Sequence, residues 1–519
     1  MSFGIGSLTR TIPVVLNFPY PVGYDSVNYY LPVLYTLSDN GSTFTISFPV
    51  YISLVYFLSE VFQSDIYYSF ILTNIFLYGF FATSIFLLSK NILNQSFNRS
   101  LLYSVFVVFQ LSVLRISWDL YRDLLSLVLF HIFLLIIGYI KGHQNMKRLD
   151  SVLSNASIFI ISIVTVLSDR MIGILLILSS FIFSILQKNK FLFFSNMFLF
   201  LAFIIYFLAF DNITYISKFN FLDVLFNPEF DRNSFSQVDV AILFLSLYCF
   251  ILPFFLIGFI KSKAPAVGAP LILKIPLILS VLFSFSWIFI PNYGHLVPER
   301  WVIISGIYFS IFGLYGFFYL VDSFSTTLLL KKIFSLIFLS SFVIYGLMFL
   351  ALPYEESFTI PSLFKSQTEN LFPLSMSFNT MDTNKNRDLI NSIDWINTNT
   401  SLQSVIVGTK HWKGWFSLFL DHPRKYLYVE DLVPRENNGS LGKQEFSLSS
   451  ILKNNFTHLC YSNGDKRPYD PLSNRGSSSI YFIMPGDPAT LSIPSHLFSI
   501  AYKSDSYVIY DLTKQICSI

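Results

Sequence analysis

The chain has 519 residues, 53% hydrophobic and only 13% charged, with a mean hydropathy of +0.58 and a formal net charge of +3. Soluble domains carry about 25% charged residues, so this composition excludes an ordinary soluble enzyme. The small net charge, with no basic stripe to track phosphates, excludes a nucleic-acid binder.

Residues 1–18, MSFGIGSLTRTIPVVLNF, place Arg10 mid-segment and lack the long apolar core of a signal peptide. They read as the outer half of a span whose first half is missing, or as a short re-entrant or interfacial segment. A first loop region, 19–66, opens with PYPVGYDSVNYYLP, where Asp25 stands among Tyr24, Tyr29 and Tyr30. A lone carboxylate there is either an interfacial residue or a base held at a membrane surface. The stretch Thr45–Phe62 is apolar enough to cross a bilayer, but counting it would reverse the charge bias of every later loop. It is therefore predicted to lie as a helix at the interface.

A bilayer span needs about 20 predominantly apolar residues, with about 17 at the low end. Between 67 and 352 the pattern predicts ten spans: Tyr67–Ser89, Ser100–Leu114, Leu124–Ile140, Val152–Leu167, Met171–Leu186, Phe191–Phe210, Val240–Ile260, Leu271–Ile290, Trp301–Val321 and Ile333–Leu352. Alternate loops hold twelve basic residues: Lys90, Arg99, Lys141, Lys147, Arg148, Lys188, Lys190, Lys261, Lys263, Lys274, Lys331 and Lys332. The opposite loops hold six, Arg115, Arg122, Arg170, Lys218, Arg232 and Arg300. The positive-inside rule puts the first set in the cytoplasm, so Asp25 and the tail are expected on the outer face.

After Leu352 charge, Asn, Ser and turn residues return, and 353–519 is predicted to be a soluble outer-face α/β domain. NRDLINSIDWINTNT places Leu389, Ile390, Ile393 and Ile396 on one helical face. SVIVG, YLYVE, THLCYS and IYFIM read as short strands, and SIAYKSDSYVIYDL as a hairpin turning near Lys503–Asp505. Glycosylation sequons begin at Asn40, Asn399, Asn438 and Asn455, consistent with an outer location. Cys249, Cys460 and Cys517 lack metal-ligand spacing, and only Cys460 and Cys517 could pair.

The outer basic residues sit beside acids. SWDLYRD holds Arg115 nearby, then Asp119, Arg122 and Asp123; Asp169 adjoins Arg170; Asp231 adjoins Arg232; and NYGHLVPER holds His295, Glu299 and Arg300. Ionisable groups at span ends are costly unless they pair or meet water, so such pairs anchor helices or line a polar cavity. Arg is also the preferred partner of phosphate. His131, in mid-span, reads as a packed bundle residue rather than a proton relay.

Taken in order, these features resemble the GT-C superfamily of polyprenyl-phosphate-sugar-dependent glycosyltransferases, most closely its archaeal members. The carriers are Arg10 near the end of a first span, GYDSVNYY with Asp25, an interfacial P-x-Y-x-x-L helix as PVYISL, the acids of SWDLYRD, and an outer domain opening with DWINTNT. The resemblance implies a polytopic α-helical membrane enzyme with a C-terminal outer-face α/β domain. It implies inverting, hexosyltransferase-type transfer from a polyprenyl-phosphate-linked sugar to a glycan, lipid or protein acceptor.

Asp25 is implied as the base, and Arg115, Arg122, Arg170, Arg232 and Arg300 as the clamp on the donor phosphate. Tyr24, Tyr29, Tyr30, His295 and Glu299 would line the acceptor side. A divalent metal, Mg or Mn, is left open, with Asp119 and Asp123 four residues apart as its ligands. KHWKGWF, with Trp412, Gly414 and Trp415, occupies the place of the W-W-D-Y-G motif of oligosaccharyltransferases but lacks its acid. This favours transfer of a single sugar. The alternatives are a membrane-anchored binding protein, for which ten spans are excessive, and a transporter, for which no internal repeat is visible.

Overall fold

The computed structural model describes residues 1–23, 25–40, 49–142, 148–210, 236–262, 269–290, 293–324, 328–351, 383–402, 404, 405–408, 412–421, 425–428, 480–485, 499–504 and 506–511. Contacts divide the chain into two compact units: Met1–Tyr24 with Leu34–Thr380, and Asp25–Val33 with Met381–Ile519. The segment that carries Asp25 therefore groups with the C-terminal unit, although in sequence it follows residues 2–17, the first helix.

The first unit is helical. Its elements are α1 (Ser2–Asn17), the greater part of α2 (Leu31–Asn40), α3 (Pro49–Phe62), α4 (Ile66–Asn91), α5 (Phe97–Val108), α6 (Leu111–Asp119), α7 (Tyr121–Gly142) and α8 (Arg148–Ser168). Then come α9 (Arg170–Gln187), α10 (Lys190–Phe210), α11 (Gln237–Tyr248), α12 (Leu252–Lys261), α13 (Ala269–Ser284), α14 (Pro298–Phe324) and α15 (Leu328–Ala351). Each of the ten stretches predicted as spans is helical over most of its length among the described residues, but two are broken and the helix of Leu271–Ile290 ends at Ser284. Four helices are long and apolar enough to cross a membrane, Ile66–Asn91, Tyr121–Ile140, Pro298–Ser323 and Leu329–Leu350, and two bent pairs raise the number to six among the described residues. Val152–Ser168, Arg170–Leu186, Lys190–Ile205 and Pro270–Ser284 are shorter apolar helices, as is Pro49–Phe62.

The bends have local causes. The predicted span Ser100–Leu114 breaks by 67° between α5 and α6, where Gln110 leaves helical geometry and its side-chain amide donates to the Leu247 carbonyl, 3.3 Å away. The predicted span Val240–Ile260 breaks by 78° between α11 and α12. Pro253 lies in the first turn of α12 and has no N–H to offer the Cys249 carbonyl, so the helix cannot run through. Downstream, α12 lies directly on α14. A Cβ on Gly258 would overlap the Phe312 carbonyl oxygen, and one on Gly316 would overlap that of Phe254. Two glycines facing one another let the backbones touch, the small-residue packing that joins helices where lipid gives no hydrophobic driving force.

Exposure follows the same solvent logic. The apolar window of α14 is 94% buried, whereas that of α15 is 22% buried although its mean hydropathy is 2.3. Leu329, Leu336 and Ile337 on α15 are all exposed. A helix this apolar on its open face suits a lipid surround. At one end of the bundle Asp322 accepts from Arg99 at 2.8 and 2.9 Å and from Lys331 at 3.5 Å. Two basic loops that the charge pattern placed on one side therefore meet. His131 is buried in the bundle with its Nδ1 2.8 Å from Ser84 Oγ, the packed position expected of it.

The second unit holds a five-stranded sheet of β1 (Val405–Gly408), β2 (Lys425–Tyr428), β3 (Ile480–Pro485), β4 (Ser499–Lys503) and β5 (Tyr507–Asp511), in the order β2-β1-β3-β5-β4. Strand β1 runs parallel to β2 and β3, and β5 runs antiparallel to β3 and β4. All four residues of β1 are buried, as a strand with neighbours on both edges requires. Helix α16 (Thr383–Asn399) fully buries Leu389, Ile393 and Ile396, and Trp395 stacks on Tyr502 of β4 at 5.4 Å. The predicted strand THLCYS, the sequons at Asn438 and Asn455, and Cys460 and Cys517 lie outside the described residues. Cys249 is an exposed free thiol.

Candidate functional site

Gly23, at φ 101°, turns the chain through a backbone region that side chains disfavour, and Asp25 then heads a single π-helical turn, Ser26–Tyr30. Ser26, Val27 and Tyr30 are buried, Asp25 is half-buried, and the Tyr29 and Tyr30 rings meet edge to face at 5.1 Å. Such single π turns are uncommon and concentrate at functional sites. Tyr24 lies outside the described residues.

The turn is fastened from below by α17 (Lys413–Phe419), the helix of the HWKGWF stretch. The Gly414 backbone N–H donates to Asn28 Oδ1 at 2.8 Å. A Cβ on Gly414 would overlap the Val27 carbonyl, so the approach is open to glycine alone. Phe416 stacks on Tyr426 of β2 at 4.2 Å, and Trp412 meets Tyr507 of β5 edge-on at 5.3 Å. Sheet, α17 and the Asp25 turn thus form one chain of contacts. Gly414→Ala should destabilise this unit by about 1–3 kcal/mol through overpacking. Limited proteolysis should then cut within residues 19–33 faster than in the wild type; an unchanged digestion rate would show that the contact does not hold the turn.

A second polar constellation lies in the first unit, where α7, α9 and α14 begin. Asp123 is buried, with Asp169, Arg300 and Arg122 close enough to act on it electrostatically. Asp169 caps α9 by accepting from the N–H groups of Met171 at 2.7 Å and Ile172 at 3.0 Å. Arg122, Arg170, Glu299 and Arg300 are half-buried in the first turns of their helices, and Arg115 is buried in α6. The structure therefore brings Arg122 and Asp123, Asp169 and Arg300 together from three separated stretches of sequence. Arg232 lies outside the described residues, as does the side chain of His295.

Asp119 and Asp123 belong to different helices. Leu120, at φ −97° and ψ 53°, separates α6, which Asp119 closes, from α7, which opens two residues before Asp123. The four-residue spacing that suggested paired metal ligands therefore acts across a helix break. Two guanidinium groups beside Asp123 disfavour a divalent cation, and no group of three or more His, Cys, Asp or Glu gathers among the described residues.

A third feature gave only a faint sequence signal, the arginine inside an apolar segment. Arg10 is 3% exposed within α1. Its Nη2 donates to the Tyr121 hydroxyl at 3.0 Å, and that hydroxyl donates to the Val22 carbonyl at 3.2 Å. Tyr121 stacks on Tyr51, whose hydroxyl donates to Asn74 Oδ1 at 2.7 Å.

No protein-family profile and no curated relative matches the sequence. Among solved structures, ArnT from Cupriavidus metallidurans bound to undecaprenyl phosphate superposes with a TM-score of 0.51 at 12% identity, covering 99% of this chain and 98% of that one. The chain has the GT-C fold. Apo ArnT gives a TM-score of 0.47 at 13% identity over 99% of this chain and 98% of that one. The apo oligosaccharyltransferase of Archaeoglobus fulgidus gives 0.45 at 11% identity over 93% of this chain and 69% of that one.

Proposed function

We propose that this protein is a membrane glycosyltransferase that moves a sugar from a polyprenyl-phosphate donor to a glycan, lipid or protein acceptor on the outer face of the membrane. The observation that carries the reading is Asp25 itself, a half-buried carboxylate heading a π turn that Asn28 and Gly414 hold in place. The GT-C fold, shared with a protein solved with undecaprenyl phosphate bound, supports the donor class.

Asp25 takes the proton of the acceptor hydroxyl as that oxygen attacks the sugar C1. The bond from C1 to the phosphate oxygen breaks through an oxocarbenium-like state, and the leaving phosphate keeps the electron pair. Arg115, Arg122, Arg170, Arg232 and Arg300 are assigned the charge that develops there, with the polar side chains Tyr29, Tyr30, Glu299 and His295 on the acceptor side. The excess of basic residues in the opposite loops supports the outer-face assignment.

A single displacement inverts the sugar carbon, and cations on arginine stand where a metal otherwise would. The product should therefore carry the opposite anomeric configuration, read by NMR of the product glycan, and EDTA should leave the rate within about twofold, since guanidinium groups supply the charge stabilisation. Retention of configuration would remove the base role from Asp25, and a chelator-sensitive rate restored by Mg or Mn would overturn the arginine-only clamp.

The two bent helix pairs favour one other reading, a transporter, because broken helices line substrate paths in transporter folds. Solute flux in vesicles without any new glycosidic product would select it.

A further inference from the structure

Pro19 and Pro21 both fall in the short segment that leads from α1 to the Asp25 turn, and neither has an N–H to donate. Such a segment builds no regular hydrogen-bonded structure of its own, so its carbonyls need donors from elsewhere, above all where the chain is buried. Pro21, Val22 and Gly23 are buried. Two tyrosine hydroxyls supply the donors. Tyr67, in the first turn of α4, donates to the Pro19 carbonyl at 2.8 Å, and Tyr121, the first residue of α7, donates to the Val22 carbonyl at 3.2 Å. Between them the Tyr20 N–H turns back to the Asn17 carbonyl at 2.7 Å, which ties the segment to the end of α1.

The Tyr121 hydroxyl is itself held in place. Its ring is fully buried, stacks on Tyr51 at 5.9 Å and meets Phe70 edge-on at 5.2 Å. The hydroxyl gives its one proton to Val22 and accepts from Arg10 Nη2 at 3.0 Å. Arg10 is buried too, so a full positive charge in a dry setting polarises the phenol and strengthens the bond that it donates. We infer that Tyr67 and Tyr121, with Arg10 behind Tyr121, are positioning residues for the catalytic base: they brace residues 19–22 at both ends, just upstream of Asp25. The inference rests on the proposed function, in which Asp25 has to meet an acceptor hydroxyl at hydrogen-bond distance. The bond from Gly414 to Asn28 shapes the turn, and the tyrosines fix the chain that enters it. A base whose entry chain slides loses rate without losing donor binding, because a misplacement of about 1 Å costs up to about 10²-fold.

Tyr121→Phe and Tyr67→Phe each delete one hydroxyl and keep the ring, and both are made in the full-length protein in phosphatidylcholine nanodiscs. Hydrogen–deuterium exchange at the Tyr20, Val22 and Gly23 amides should quicken by about tenfold in Tyr121→Phe, and by less in Tyr67→Phe, whose partner Pro19 is exposed. With a polyprenyl-phosphate sugar, kcat should fall about tenfold in Tyr121→Phe while the donor KM stays within about twofold of wild type. In the Asp25→Asn background the same substitution should lower kcat no further, since residues that act as a unit are not additive. Should Tyr121→Phe fail to fold, Tyr67→Phe, at a half-buried hydroxyl, carries the same comparisons. Exchange unchanged in every folded variant overturns the brace. Faster exchange with unchanged kcat, or a loss of kcat that repeats in the Asp25→Asn background, overturns the positioning role. A wild type that transfers no sugar sinks the functional reading and the positioning role with it, while the exchange rates still decide whether the brace holds the chain.

Discussion

Asp25→Asn should lower sugar transfer by about 10²–10⁴-fold, the range that a positioned general base contributes, while donor binding stays within about twofold of wild type because the clamp on the phosphate is untouched. The substitution is nearly isosteric and removes the negative charge together with the ability to take a proton. The Asp25 side chain does not cap the turn that it heads. What holds the turn is the burial of Ser26, Val27 and Tyr30 together with the hydrogen bond from Gly414 to Asn28. A folded, donor-binding and inactive variant is therefore the expected outcome. Steady-state kinetics with a polyprenyl-phosphate sugar, paired with thermal unfolding, separates it from simple misfolding. If the variant retains full kcat, Asp25 is an interfacial residue and the base lies elsewhere.

The largest effect on stability is expected from Gly316→Ala. One added carbon on α14 would overlap the Phe254 carbonyl oxygen and crowd the Gly258 amide nitrogen, and neither neighbour is the movable end of a side chain. The helices must separate along their length, which opens the aromatic packing between them. Phe254 meets Phe317 at 5.6 Å, and Phe317 stacks on Phe338 at 4.1 Å. Overpacking of this kind destabilises by about 1–3 kcal/mol and occasionally more. Backbone-to-backbone contact on a helix that is 94% buried places this site at the upper end. Thermal unfolding in detergent should show a clear drop in Tm for Gly316→Ala. Gly4→Ala on α1, where nothing lies within 4 Å of the added carbon, should behave as wild type.

Much of the scaffold was legible in the sequence because the bilayer sets a coarse rule, about 20 apolar residues per crossing, that survives errors of a few residues. Each predicted span is helical over most of its length, and the strands SVIVG and IYFIM pair as neighbours in the sheet. The two breaks were missed as breaks. Gln110 inside an apolar stretch and Pro253 after Cys249 were visible, but hydropathy averages over single residues, and each break is a local hydrogen-bonding event.

The site was legible as residue types and not as an arrangement. Pairing an arginine with a neighbouring acid along the chain suggested five independent pairs. Around Asp123 the structure places not only its sequence neighbour Arg122 but also Asp169 and Arg300, from helix starts more than 45 residues apart in sequence. The four-residue spacing of Asp119 and Asp123 presumes one continuous helix, which Leu120 interrupts. Gly414 was noticed for its place between two tryptophans, whereas its role is the close approach to Val27 and Asn28 that glycine alone permits.

The central claim is sugar transfer from a lipid phosphate, and wild-type protein in phosphatidylcholine vesicles tests it most directly. With a polyprenyl-phosphate sugar labelled in the sugar, supplied with an extract of candidate acceptors, the account predicts label appearing on an acceptor together with release of an equal amount of unsubstituted polyprenyl phosphate. Donor that stays intact in the presence of folded protein, across the common hexose donors and all three acceptor classes, would contradict it.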